Sequence, residues 1–145
     1  MKRIIMYVVI LVLTLAAPVK RLDVAHLEPV EVVCLSREGD TVILSTDTQA
    51  SGRGADALSA LANLKQTTPG VVYLDTAEFL LVTENALDEI DLLRTELKGS
   101  VKLCQVQNAE LENAAKYLEV HGDLPKLKAW KIGQKLPVWN GEKFL

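Results

Sequence analysis

Two aliphatic runs constrain this chain more than any other feature. Residues 71–82, VVYLDTAEFLLV, and 101–106, VKLCQV, are apolar almost without interruption. A strand with one wet face alternates in polarity, whereas a strand covered on both faces does not. Between the runs, Ala86, Ile90, Leu93 and Leu97 recur at intervals of four, three and four, which predicts a helix over about 86–98. Asn85 suits its N-cap, and Lys98 followed by Gly99 suits its end. Only Gly99 and Ser100 then lead into the second run. Strand, helix and strand joined this tightly imply a right-handed parallel crossover. Asp75 and Thr76 are expected to break the first run into two pieces.

The flanking segments extend this unit. Residues 29–47, PVEVVCLSREGDTVILSTD, hold two β-branched runs around Arg37-Glu38-Gly39-Asp40, a hairpin signal that makes the sheet mixed. A Gly-x-Gly turn (Gly52, Arg53, Gly54) opens a first helix over about 55–65, with Leu58, Leu61, Ala62 and Leu64 as its apolar stripe. A third helix, about 109–120, is capped by Asn108 and striped by Leu111, Ala114, Ala115 and Leu118. In the tail, Lys126, Lys128, Lys131, Lys135 and Lys143 alternate with apolar residues at the period of a strand. Asn140-Gly141 marks a hairpin there. The expected fold class is α/β, a small mixed sheet with helices packed on it: an N-terminal hairpin, a β-α-β-α crossover and a C-terminal hairpin.

The first residues bear on location. Lys2 and Arg3 precede an uncharged run from Ile4 to Ala17, and Lys20 and Arg21 follow. That is the pattern of an export signal, read as residues 1–17 forming a signal peptide or a retained N-terminal membrane anchor. Residues 18–145 are then a single globular domain. Loss of residues 1–16 removes two cations and no acid, moving the net charge from −3 to −5. An acidic body without a basic cluster argues against nucleic acid as a partner.

The chain offers little catalytic chemistry. The Gly52–Gly54 turn invites comparison with loops that hold phosphate at a helix N-terminus. A P-loop needs Lys-Ser/Thr after its glycines, but Ala55-Asp56-Ala57 follows here, and Asp56 would oppose a phosphate. The glycines are therefore expected to be a structural corner, with no cofactor bound. Cys34 and Cys104 lie inside apolar runs, as a disulfide or as two buried thiols. They make no metal site with His26 and His121, which lack the spacing. Asp88, Glu89, Asp91 and Glu96 are most simply the wet face of the second helix. No catalytic residue is expected. Trp130, Trp139 and Phe144 are the candidate partner-binding residues, with packing into the domain's own core as the competing use.

The order of elements is similar to the N-terminal domain of the C subunits of spore germinant receptors, the Ger(x)C family. KRLDVAHLEPVEVVCLSREGD stands where that family has an Arg-Glu-Leu-like segment and a strand ending near Gly-Ile-Asp. TVILSTDTQASGRGADALSAL matches its second strand and Gly-x-Thr/Ser-x-x-Glu-Ala helix start, and VVYLDTAEFLLV its Tyr motif and aliphatic run. The resemblance covers about residues 20–120, as a short single-domain relative without a lipobox Cys. It implies a non-enzymatic, extracytoplasmic accessory protein in spore germination. Such a protein works by protein–protein contact, with germinant-receptor membrane subunits as partners. An unrelated secreted binding or inhibitory module is the alternative.

Overall fold

The computed structural model describes residues 1–16, 27–107, 123–140, 143 and 144. Helix α1 spans Lys2–Ala16 and buries none of its side chains. No helix among the described residues is long and apolar enough to cross a membrane. The rest is organised on a mixed sheet of six strands. These are β2 (Val32–Glu38), β3 (Thr41–Thr46), β4 (Ser51–Gly54), β6 (Phe79–Thr83), β7 (Lys102–Val106) and β8 (Val138–Trp139), in the spatial order β4-β3-β2-β6-β7-β8. A small parallel pair, β1 (Leu27–Pro29) with β5 (Val71–Tyr73), stands apart from it.

The hairpin and the crossover form as the sequence implies. β2 and β3 are antiparallel, joined at Gly39, whose φ of +60° lies in the region that favours glycine. On its other edge β2 pairs in parallel with β6, and β6 with β7. The first aliphatic run does break, at a 3₁₀ turn over Leu74–Thr76. Only its second half reaches the inner sheet, while Val71–Tyr73 pairs with β1 and stays largely exposed.

Inner strands without alternation need cover on both faces, and both faces are buried. Val33, Leu35, Leu80, Val82 and Leu103 point to one side. They meet Ala57, Ala60, Leu61 and Leu64 of α2 (Ala57–Thr67), together with Ile90 and Leu93. Val32, Cys34, Phe79, Leu81, Cys104 and Val106 form the core on the other side. The expected third helix lies outside the described residues.

Several expectations are corrected. The segment after β6 is a 3₁₀ helix over Glu84–Leu93, not an α-helix over 86–98. At about 2.0 Å rise per residue it reaches further across the sheet than α-helical winding would. Its three-residue period stacks Glu89 over Ala86 and Leu93 over Ile90, which carries Glu89 inward. Asn85 is no helix cap: its Nδ2 donates to the Arg37 carbonyl at 2.9 Å, and its Oδ1 accepts from Thr83 Oγ1 at 2.6 Å.

The first helix begins at Ala57, so its buried stripe is Ala57, Ala60, Leu61 and Leu64, and Leu58 is exposed. The Gly52–Gly54 segment is an edge strand and not a corner. Neither glycine has a positive φ. Both instead allow close approach, since a Cβ on Gly52 would lie 2.1 Å from the Ala60 carbonyl oxygen, and one on Gly54 2.5 Å from the Ala60 nitrogen.

The tail is not an alternating strand. Residues 126–134 run mostly in turns; Lys126 makes an isolated antiparallel bridge to Lys102 of β7, and Val138–Trp139 pairs in parallel with the same strand. Its backbone bonds close turns instead, from Ala129 N and Trp130 N to the Lys126 carbonyl and from Gln134 N to the Lys131 carbonyl. Arg94 donates through Nη1 and Nη2 to the carbonyls of Leu127 and Trp130, which ties this stretch to the segment after β6. Among the described residues, the hairpin at Asn140 is marked by an antiparallel bridge between Trp139 and Phe144. It is closed by Asn140 N to Lys143 O at 3.2 Å and Lys143 N to Asn140 Oδ1 at 2.9 Å.

Candidate functional site

The helix terminus that raised the question of phosphate is already occupied. Asp56 sits at the N-cap of α2 in an extended conformation, and its Oδ1 accepts from Ser59 N at 2.7 Å. That backbone bond holds the Asp56 carboxyl below its ordinary pKa. One residue on, the Ala57 N–H donates to Glu89 Oε2 at 2.9 Å. Two of the N–H groups that an anion would need are therefore taken by the chain's own carboxylates.

Glu89 is the functional surprise of its segment. The sequence places it with Asp88, Asp91 and Glu96 on a wet face, yet it is only 8 % exposed. Its Oε1 accepts from Arg37 Nη2 at 2.7 Å, so one carboxylate joins the end of β2 to the start of α2. Arg37 also donates to the Asn85 carbonyl at 2.9 Å and pairs with Asp88 at 3.3 Å. The other acids are on the surface and paired: Asp91 with Arg94 at 2.5 Å, and Glu96 with Lys65 at 3.5 Å.

This cluster stands at a topological switch. The chain leaves β2 outward through β3 and β4, then returns through α2 to place β6 on the opposite edge of β2. In open sheets of parallel strands, ligands favour the crevice outside the carboxyl ends at such a point. A solvent-open cleft of about 710 Å³ lies there. Arg37, Asn85, Leu87, Gln105, Ile132 and Val138 are among its lining residues. Its interior is more apolar than polar, and Glu84, Asp88 and Lys135 put both signs of charge at its rim.

The three aromatic residues singled out from the sequence are not exposed anchors. Trp130 is 3 % exposed and belongs to the core on the α2 side; Trp139 is 5 % exposed and belongs to the opposite core. Phe144 packs edge-on against Trp139 with ring centres 5.6 Å apart. Trp130 contributes to the cleft wall while its Nε1 donates to the Gln134 carbonyl at 3.2 Å and its ring stacks under Arg94. Among the described residues of the tail, the large apolar side chain left exposed is Ile132.

Cys34 and Cys104 are free, buried thiols on the same face of the sheet, each in register with Leu81 from opposite sides. Burial raises Cys34 to about 11 and Cys104 to about 12, so neither is a ready nucleophile. His26 and His121 lie outside the described residues. Among the described residues, no group of three or more His, Cys, Asp or Glu side chains could hold a metal ion.

Sequence reasoning missed Arg37, Glu89 and Arg94. The first two looked like turn and surface charges, and only the pairing across more than fifty positions, set by the fold, brings them together. Comparison with protein-family models, with characterised proteins and with solved structures finds no match for this chain.

Proposed function

We propose that this protein is an exported, non-enzymatic accessory protein that acts by protein–protein contact through the cleft at the carboxyl ends of β2, β6 and β7. The observation that carries the reading is the cleft itself, apolar inside, charged with both signs at its rim and placed at the sheet's switch point. On one wall the polar side chains are engaged with their neighbours: Arg37 with Glu89 and Asp88, and Asn85 with the Arg37 carbonyl and Thr83. Groups so engaged shape and orient a surface. The cation-flanked apolar stretch around α1 supports export, with the segment cleaved or kept as an anchor. The likeness to the Ger(x)C N-terminal domain points to a role in spore germination, with receptor membrane subunits as the partner.

The test is site-specific photocrosslinking in sporulating cells. A crosslinker at Leu87 or Val138 is compared with one at Gln66, on the exposed face of α2. A crosslink to a germinant-receptor subunit from the cleft positions alone supports the proposal. A cleft-specific crosslink to an unrelated protein removes the germination role and keeps a binding module. Equal crosslinking from Gln66 removes the cleft.

A further inference from the structure

The tail turn that lines one side of the cleft also presents an outward, basic surface. Residues 27–107 hold thirteen carboxylates and six cations, whereas 123–145 hold two carboxylates and five lysines. The molecule is therefore polarised, an acidic body with a basic lobe. Lys126, Lys128, Lys131, Lys135 and Lys143 are all exposed, and none forms an ion pair among the described residues.

At the tip of this lobe, Lys131-Ile132-Gly133-Gln134 forms a tight turn. Gln134 N donates to the Lys131 carbonyl at 3.1 Å, and Gly133 at the third position has φ +93°. The Gln134 Oε1 accepts from Lys131 N at 3.0 Å, and the Gln134 carbonyl accepts from Trp130 Nε1 at 3.2 Å. The turn is thus fastened to a buried tryptophan. Its second position, the outermost corner, is Ile132, 61 % exposed.

We infer that this turn and the lysines around it are a contact site for an anionic lipid surface. A rigid corner that offers one isoleucine between lysines matches the interfacial region, where an apolar side chain enters among the headgroups and the ammonium groups stay outside with the lipid charge. The acidic body is repelled by the same surface, so the polarity of the molecule turns the lobe toward it. An apolar segment too short to span gives weak membrane attachment by itself, and a basic patch is the kind of second signal that makes attachment stable. For the second-signal role alone, the inference rests on the membrane-directed reading of α1.

Full-length chain is co-sedimented with vesicles of phosphatidylcholine alone and of phosphatidylcholine with about a third phosphatidylglycerol. Binding to the neutral vesicles reads α1, and the ratio between the two reads the lobe, so the two ideas can fail separately. Each lysine near the surface is worth about a factor of five, so K128Q/K131Q/K135Q should lower the anionic preference about a hundredfold. The corresponding triple arginine variant should keep it, and both should melt as the wild type does. Because the two native thiols are buried, an Ile132→Cys variant can be labelled at that site with an environment-sensitive fluorophore. Its emission should shift to the blue on anionic vesicles and not on neutral ones. An unchanged preference in the glutamine variant, or a label that stays in water on vesicle-bound protein, overturns the inference. So does an effect of the lysines on polyglutamate binding alone.

Discussion

Replacing Gly52 with Ala tests the closest contact in the fold. β4 passes directly beneath α2, and a methyl at position 52 would sit 2.1 Å from the Ala60 carbonyl oxygen, 2.4 Å from the Leu64 nitrogen and 2.7 Å from Leu64 Cβ. Two of these three atoms are backbone, so no rotamer change relieves them. Ordinary contact begins near 3.4 Å, so helix and strand must part by about 1.3 Å. A gap of that size forfeits half or more of the dispersion energy across the seam, where Ala57, Ala60, Leu61 and Leu64 are buried. Overpacking alone costs about 1–3 kcal/mol, and the loosened seam takes the total to about 3–5 kcal/mol. Urea unfolding followed by circular dichroism should show a lower midpoint at an unchanged slope. Arg53→Ala, between the glycines and exposed, should stay within about 0.5 kcal/mol. A Gly52→Ala protein within that same margin would refute the close-approach argument.

Glu89→Gln keeps the shape but weakens the bond to Arg37 and leaves that cation half-buried; we expect a loss of about 2–4 kcal/mol by denaturant titration. Leu93→Ala removes a buried side chain from the core between the 3₁₀ helix and the sheet and should cost about 2–5 kcal/mol in the same assay. Trp139→Ala should cost about 3–5 kcal/mol, and an unchanged melting temperature would return Trp139 to the surface. The thiols bind their protons more tightly folded than unfolded. Their contribution is thus complete below the ordinary pKa of 9.0 and is lost as pH rises toward about 11 for Cys34 and about 12 for Cys104. Stability measured from pH 8 to 12 should fall across that window, and less steeply in Cys34→Ala.

The inner strands were legible because their pattern is local: unbroken apolar runs mean two covered faces wherever they fall. The parallel pairing of β6 with β7 and the burial of Leu80 and Leu103 agree with that, and the four-three-four spacing marked Ala86, Ile90 and Leu93 as a buried face. The winding of the 3₁₀ helix was not legible. Its residues favour α-helix, and what overrides them is Arg37 on the Asn85 carbonyl and Glu89 reaching Ala57, ties made with distant parts of the chain. The tail misled for the same reason. Its alternation is real, yet the backbone turns at Lys126 and again at Lys131, and Arg94 ties the stretch between to a distant segment. For Gly52 and Gly54, the sequence pointed to a structural corner, whereas the need for glycine comes from the close approach of α2, which no local pattern encodes. The cleft belongs wholly to what sequence withholds, since its walls come from β2, the segment after β6, β7 and the tail.

Of the six strands in the main sheet, β2 comes first along the chain, yet it lies inside the sheet with a partner on each side. Val33 faces Thr46 on one edge and Leu80 on the other. The first pairing closes a short loop and the second a long one, at about 1 kcal/mol more in closure entropy. The meander of β2, β3 and β4 can therefore assemble while the far edge of β2 waits for β6. During that interval VVCLS is an open, apolar template for strand addition by another chain. Substitutions that slow the docking of β6 should reveal themselves as concentration-dependent aggregation during refolding before they lower equilibrium stability.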